Sequence, residues 1–523
     1  MKMIQLLDCT LRDGAHLNGG RFGEKMIRRT IRSLTDAKLD IVEVGFFVNE
    51  DRGPDATYFH SIEDVRRVLP RKKGNVQYSL MADFVDVDGI EPWDGTIDIF
   101  RLSFKRHRLD WALGAARTLM DKGYKVFINP VNCSVYTDEE YLAVIRRVNE
   151  LHPYGFSMVD TFGVLRKQDL SRLYYLLEGN LLPDITIGLH LHENLGLAYS
   201  LAQHFLEIRS PRRKIVIDCS LLGMGRIPGN LCTEQIMEHM NLNYGTDYAT
   251  EPALDAIDDD IAPIKREIPW GYSIPYALSG KFGLHRTYAE YLMGKNRLKA
   301  KDIQRILSMV DREHIEMFDE AYIEGLYRQY RNVSMDDSAA IDTITREIGG
   351  KRVVVICPGS SIATHMEQIR AVIDGGNTCV ISVNFIPDFC KPDYMFCANA
   401  KRLRNFDPAA GVRGIFTSNL RELVTDPGSL MVSFNSCAYF GDKFCEDSTL
   451  LLLKLLRSCD CDAVYIAGFD GFGGQSNYYD RNYSRESGTF IDKHTVMHLL
   501  GSALKDLKLH FITPSIYCTS DGK

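Results

Sequence analysis

Residues 186–220, TIGLHLHENLGLAYSLAQHFLEIRSPRRKIVIDCS, decide the fold. A β-branched run, TIGLHLH, is followed by the amphipathic stretch LAYSLAQHFLEI and then by a second β-branched run, KIVIDCS. Strand, helix and strand at this spacing make a parallel βαβ unit. The same rhythm runs back to the N-terminus. IQLLDCT, DIVEVGFF, VQYSLMA, IDIFRLSF, KVFINPV and GFSMVDT read as the earlier strands, with EKMIRRTIRSLTDAKL, DWALGAARTLMDKG and DEEYLAVIRRVNEL as helices between them. Eight parallel strands with intervening helices fill one TIM barrel, whereas a doubly wound sheet more often has about five to seven strands.

The expected fold class is therefore α/β: a (β/α)8 TIM barrel with a helical extension and a C-terminal Rossmann-like α/β domain. The barrel is expected over residues 1–245. Residues 246–331, which include AEYLMGKNRLKAKDIQRILSMVD and HIEMFDEAYIEGLYRQY, lose the strands and form the helical extension. The polar, small NVSMDDSAA (332–340) opens a linker over 332–349. RVVVICPGSSI, THMEQIRAVIDGG, TCVISVNF, AVYIAGFDGF and LHFITPSIY then restore the strand-helix rhythm, which places the Rossmann-like domain at 350–523.

A chain of 523 residues exceeds what one hydrophobic core supports, in keeping with this division. The formal charge of −7 leaves no basic footprint, so nucleic acid is not expected as a partner and an anionic substrate must be met by local cations. No apolar run approaches a membrane span, and MKMIQLLDC lacks the pattern of a signal peptide. The 13 cysteines show no paired CxxC zinc spacing. A cytoplasmic protein without membrane contact is the expectation.

In a TIM barrel the C-terminal strand ends carry the active site. DCTLRDGAH closes the first strand, HLHENLG the seventh and DCSLLGMGRIPGN the eighth. His190 and His192 are two apart on a strand and so face the same way. With Asp13 on the first strand, adjacent once the barrel closes, they make two imidazoles and one carboxylate, an open set for a divalent metal.

These pieces resemble the metal-dependent TIM-barrel aldolases, lyases and acyl-CoA condensing enzymes that include HMG-CoA lyase, isopropylmalate synthase and 4-hydroxy-2-oxovalerate aldolase. The matching motifs are DCTLRDG (8–14), VEVGF (42–46), VDTFG (159–163), HLHENLGLA (190–198) and GMGRIPGN (223–230), in order over the first 240 or so residues. The resemblance implies that Asp13, His190 and His192 hold a divalent metal, Mn2+ or Mg2+, with Asn230 as a fourth ligand. Asn194 either orients the site or caps a loop. His16 favours the hydroxy-oxo-acid aldolases, because the condensing enzymes usually read TLRDGEQ.

What the aldolase resemblance implies is cleavage or formation of a 4-hydroxy-2-oxo acid through a pyruvate enolate. Arg12 would stabilise the enolate, His16 would act as general base and Glu43 would hold Arg12, with Asp160 in a lesser supporting role. Tyr276, or in second place Tyr272, would protonate the enolate, although a core or interface tyrosine is as good a reading of either. Asp8 is not taken as a ligand. The partners implied are a small 2-oxo acid, a homo-oligomer and an aldehyde-consuming enzyme. An acyl-CoA condensing enzyme is the alternative, and a degenerate barrel carrying a binding module is the non-enzymatic one.

In the C-terminal domain, VVVICPGSSI is a strand, a small-residue turn and a helix start, the arrangement in which backbone N–H groups receive phosphate. Together with VNFIPDFCKPDYMFCANAKRL (383–403) and YIAGFDGF (465–472) it resembles, over short stretches, the Rossmann-like domains of bacterial sialyltransferase-type and motility-associated glycan proteins. That implies a nucleotide or nucleotide-sugar site using Gly359, Ser360, Ser361, Asn384 and Asp470. A docking or oligomerisation domain without ligand is the equal alternative.

Overall fold

The computed structural model describes residues 2–70, 74–315, 317–332, 334–440, 444–461, 463–471, 478, 493–502 and 504–518. Eight parallel strands close into a barrel: β1 (Ile4–Asp8), β2 (Ile41–Phe47), β3 (Gln77–Asp83), β4 (Ile99–Phe104), β5 (Lys125–Pro130), β6 (Gly155–Asp160), β7 (Thr186–Leu191) and β8 (Ile215–Cys219). Closure is made by β1, which pairs with β8 from Ile4 opposite Ile215 to Asp8 opposite Cys219 and with β2 through Leu7 and Asp8. The β-branched runs of the sequence thus become the strands expected of them.

Strand β2 slips register against β3 between Glu43 and Gly45. A Cβ on Gly45 would run into the Thr57 carbonyl, so glycine is needed there. The helices outside the barrel start and stop for local reasons. Thr137 and Glu140 form a capping box at the head of Asp138–Leu151, and Tyr141, Val144, Ile145 and Val148 give that helix its buried stripe.

The chain divides into two compact units, Met1–Arg286 with Glu313–Phe318, and Thr287–Arg312 with Asp319–Lys523. The expected helical extension, 246–331, is helical but is not a unit of its own. Its first part joins the barrel core through Ala253, Ala256, Ile257, Ile261 and Trp270. Its last helix, Glu320–Arg331, lies in the second unit, where Arg331 pairs with buried Glu446 at 3.0 Å and the Tyr327 hydroxyl donates to the same carboxylate. The expected linker, 332–349, contains the helix Ser338–Ile348. Its polar start conceals an apolar stripe, Ala340, Ile344 and Ile348, that enters the core of the second unit.

The second unit is built on a seven-stranded parallel sheet: β9 (Arg352–Ile356), β10 (Thr378–Val383), β11 (Tyr394–Cys397), β12 (Arg413–Thr417), β13 (Leu430–Val432), β14 (Ala463–Ala467) and β15 (Lys508–Phe511), in the order β13-β12-β11-β10-β9-β14-β15. The order reverses direction between β9 and β14, the switch point where doubly wound sheets open a crevice. Among the described residues no helix is long and apolar enough to cross a membrane.

Candidate metal centre and active site

Asp13 lies on the short helical turn Thr10–Asp13 that follows β1, and His190 and His192 come from the end of β7. Each offers a ligand atom within 4.8 Å of the others, and all three are buried. Asp13 Oδ2 is 3.8 Å from Nε2 of His190 and 3.8 Å from Nε2 of His192. The second nitrogens fix the tautomers. His190 Nδ1 faces the Asp218 carboxylate at 2.9 Å, and His192 Nδ1 faces the Asp160 carbonyl at 2.9 Å. Both partners only accept, so both imidazoles donate through Nδ1 and turn Nε2 toward Asp13.

The electrostatics keep this set ready for a cation. Burial would raise the Asp13 carboxyl, but Arg12 and the imidazoles of His192, His190 and His16 overcome it and hold the group well below the usual carboxylate range. Burial, helped by His190, pushes His192 down to about 3, so its ring stays neutral.

Asn230 fits beside them. Its backbone bridges to His192, its Nδ2 donates to Asp13 Oδ2, and its buried Oδ1 has no hydrogen-bond partner, nor has His192 Nε2. Two orphaned acceptors beside a carboxylate are what a divalent cation satisfies, so the residues present fit a metal.

Arg12 is fixed on two sides, donating from Nε to Glu43 at 2.7 Å and from Nη1 to Asp13 Oδ1 at 2.8 Å. The same Glu43 oxygen accepts from Arg101 Nη1 at 3.1 Å, and Arg101 also donates to Asp218. A buried chain of charges therefore runs from Arg12 through Glu43, Arg101 and Asp218 to His190. Sequence reading missed Asp218 and the bridging role of Arg101. The signal was present as lone charges inside apolar strands, IFRLSF and IVIDC.

His16 stands at the mouth with Nε2 3.7 Å from Asp13 Oδ1 and its ring edge-on to Phe46. Burial lowers its pKa to about 4; Asp13 opposes this, and Arg12, Arg226 and Arg286 add to it, so the imidazole is a free base at neutral pH. Arg12, Asp13, His16, Phe46, Arg101, His190 and His192 line a cavity of about 190 Å3 together with Met81, Asp83, Ser103, Lys105, Asn129 and Arg226.

Other expected residues stand elsewhere. Tyr276 is buried in the helix Ile274–Phe282 and is not among the residues lining the cavity, and Tyr272 is exposed. Asn194 donates to the Tyr276 carbonyl at 3.4 Å, a loop-tethering role. The Asp160 carboxylate accepts from Val164 N and Leu165 N, so it shapes the loop after β6 while its carbonyl orients His192. Asp8 accepts from Thr10 N and Thr233 Oγ1, away from the cavity lining.

In the second unit, Gly359, Ser361 and Asp470 come together at the ends of β9 and β14. Gly359 N donates to Gly468 O at 2.9 Å, and a Cβ on Gly359 would strike that carbonyl. Ser360 lies in the same turn. The Asp470 carboxylate accepts from Ser361 N at 2.8 Å and from its hydroxyl, so an internal carboxylate occupies an N–H expected to face a phosphate. Asn384, in the left-handed region at φ 69°, follows β10. Phe472, the last residue of YIAGFDGF, is outside the described residues.

A closed (β/α)8 barrel with a buried carboxylate and two imidazoles at its C-terminal mouth defines an enzyme of the metal-dependent aldolase and lyase class. Residues 103–258 match the HMGL-like family model, and the barrel is similar to those of the TIM-barrel aldolase/lyase superfamily. The chain is similar to an oxaloacetate decarboxylase of Mycobacterium tuberculosis, 22% identical over 59% of this chain and 91% of that one. It is similar to 4-hydroxy-2-oxovalerate aldolase 6 of Rhodococcus jostii, 24% identical over 51% of this chain and 76% of that one. It is also similar to homocitrate synthase AksA of Methanosarcina mazei, 24% identical over 53% of this chain and 68% of that one.

Proposed function

We propose that the barrel is a divalent-metal-dependent carbon-carbon lyase that cleaves or forms a 4-hydroxy-2-oxo acid through a pyruvate enolate, with Mg2+ or Mn2+ held by Asp13, His190, His192 and Asn230. The observation that carries this is the placement of Arg12 and His16 beside one oxygen, Oδ1, of the ligand Asp13, whose other oxygen faces both imidazoles. A bound divalent cation would supply Lewis-acid polarisation of the 2-oxo group. Arg12, a fork that stays protonated and is braced by Glu43, sits where enolate charge develops. His16, neutral and half exposed at the mouth, accepts the proton of the 4-hydroxyl as the C3–C4 bond breaks.

Because Tyr276 does not line the cavity, the reading gives the enolate's reprotonation to water rather than to this side chain. Two of the named activities among the relatives, oxaloacetate decarboxylation and oxovalerate cleavage, leave the same enolate when the bond beside C3 breaks. Soluble 2-oxo acid is the partner in this proposal, which assigns no ligand to the second unit.

The test is pyruvate release from 4-hydroxy-2-oxo acids by purified protein with Mg2+ or Mn2+. His16→Gln should lower kcat by about 10²- to 10⁴-fold, the usual contribution of a positioned base, while metal affinity changes little. Asp13→Asn should lose the metal, read by elemental analysis and calorimetric titration. Release of CoA from acetyl-CoA and a 2-oxo acid, with no pyruvate formed from hydroxy-oxo acids, would overturn the aldolase reading in favour of condensation.

A further inference from the structure

Of the residues that line the barrel cavity, two carry a buried polar atom with no hydrogen-bond partner among the described residues, His192 Nε2 and Asn129 Oδ1. The first belongs to the metal set. The second stands on β5, the strand across the eight-membered ring from β1, which Asp13 follows. Asn129 is only 3% exposed, and folding alone gives no reason to bury an amide oxygen unpaired. Two residues earlier on the same face, Phe127 lies in the apolar plug of the barrel with Leu7, Ile41, Ile99 and Val216. Two residues later comes Val131, which lines the cavity as well. Strand β5 thus sets one polar group between apolar ones, at the level where the cavity opens.

The side chains next to Asn129 are uncharged. Ser103 is its register partner on β4, so the two leave adjacent strands on one face. Val131, Val159 and Thr161 complete this wall. Thr161 Oγ1 already accepts from Asn132 N at 2.8 Å, which ties down the loop after β5. No such bond holds Asn129 Oδ1, and a terminal amide torsion is soft, so the group can turn its oxygen or its NH2 to a ligand. A hydroxyl, donor and acceptor at once, satisfies either end. A carboxylate or an ammonium satisfies one end only, and none of these five side chains offers it a counter-charge. A cavity of about 190 Å3 holds one small molecule, extended from the metal set toward β5.

We propose that Asn129 is a specificity-determining residue that receives a hydroxyl on the aldehyde half of the substrate, beyond C4, with Ser103 as the second contact. The substrate class is then a polyhydroxy 2-oxo acid. Cleavage of its C3–C4 bond gives pyruvate and a hydroxyaldehyde. This rests on the reading of the barrel as a 2-oxo acid lyase and narrows its aldehyde half. A plain alkyl group in that place would leave the Asn129 amide unpaired in the complex, which is how a site built for a hydroxyl rejects the analogue that lacks one.

The experiment uses two oxamates, which keep the carboxylate and adjacent carbonyl of a 2-oxo acid but have no bond to cleave. N-(2-hydroxyethyl)oxamate and N-propyloxamate are equal in length and differ by a hydroxyl against a methyl at the far end. In calorimetric titration of the full chain with Mg2+ present, the hydroxyethyl probe should bind about three- to tenfold tighter, the worth of one neutral hydrogen bond. Asn129→Leu, close in volume and apolar, should bring that ratio to one or below. Asn129→Ala should do the same, which keeps the test open if the leucine variant fails to fold. Ser103→Ala should lower the ratio without abolishing it. Equal binding of the two probes by the native chain, binding of neither, or Asn129 variants that keep the preference or weaken both probes alike would overturn the proposal. Deuterium exchange of the pyruvate methyl protons, followed by NMR, separates the two claims. Exchange without hydroxyl preference sinks the Asn129 contact alone, whereas preference without exchange sinks the lyase reading and leaves the hydroxyl contact standing.

Discussion

Gly225 shows how closely the centre is built at the level of single atoms. A Cβ there would lie 2.7 Å from Asp13 Oδ2 and closer still to the Asn230 amide, so the loop GMGRIPGN reaches the ligands only through a residue with no side chain. Gly225→Ala should therefore weaken Mg2+ binding by tenfold or more while the barrel stays folded, a split that calorimetric titration and a thermal melt read together. Asp8, in the same motif as Asp13, behaves differently. Burial, outweighing its bonds from Thr233 and Thr10, raises its pKa to about 6, above the 3.8 of an unperturbed carboxyl. The protonated form therefore favours the folded state. The stability it contributes is complete below about pH 4 and disappears as pH rises through 6, roughly 3 kcal/mol in all. Asn at position 8 can accept from Thr10 N and donate to Thr233 Oγ1 without that loss. Asp8→Asn should gain stability relative to the native chain between pH 5 and pH 8 in urea denaturation. An unchanged difference at the two pH values would refute it.

At the scale of elements, the barrel strands supply a layer of charge as well as apolar packing. Glu43 on β2, Arg101 on β4 and Asp218 on β8 meet in the barrel interior between Arg12 and His190. Burial would lower the Arg101 pKa, but Asp218 and Glu43 reverse that and raise it, so the group stays charged. Arg101→Met keeps the volume but leaves two buried carboxylates short of a partner, a loss of about 3–5 kcal/mol. A fall in urea midpoint much smaller than this would mean that water or Arg12 takes over the role. The eight strands were legible because each is a short β-branched run bounded by turns, and Asp13, His190 and His192 because period-two spacing puts both histidines on one face. Asp218 was legible only in part. It stands out as one charge among apolar strand residues, but its partner His190 is on a different strand, so its role was not. Tyr276 was read into the site from a motif, yet its helix carries it outside the cavity lining. The linker failed for another reason: NVSMDDSAA reads polar residue by residue, and the stripe of Ala340, Ile344 and Ile348 emerges only at helical spacing.

The whole molecule has two units with separate apolar cores, which makes their stabilities separately observable. Trp93, Trp111 and Trp270 are the three tryptophans of the chain, and all of them fall within Met1–Arg286. Tryptophan fluorescence therefore reports on the barrel, while far-UV circular dichroism reports on both units. The proposed metal ligands also lie in the barrel, so Mg2+ should stabilise the unit that the tryptophans sense. A ligand at a hundred times its dissociation constant adds about 2.7 kcal/mol to the state that binds it. For a domain of this size, such a gain raises the melting temperature by several degrees. Adding saturating Mg2+ should move the fluorescence transition upward, and EDTA should return it. The part of the circular dichroism transition that fluorescence does not share should stay in place. In Asp13→Asn the fluorescence transition should lose its response to Mg2+, because that carboxylate is the anionic member of the ligand set. A fluorescence transition that ignores Mg2+ in the native chain, or one that still responds in Asp13→Asn, would place the cation somewhere other than the mouth of the barrel.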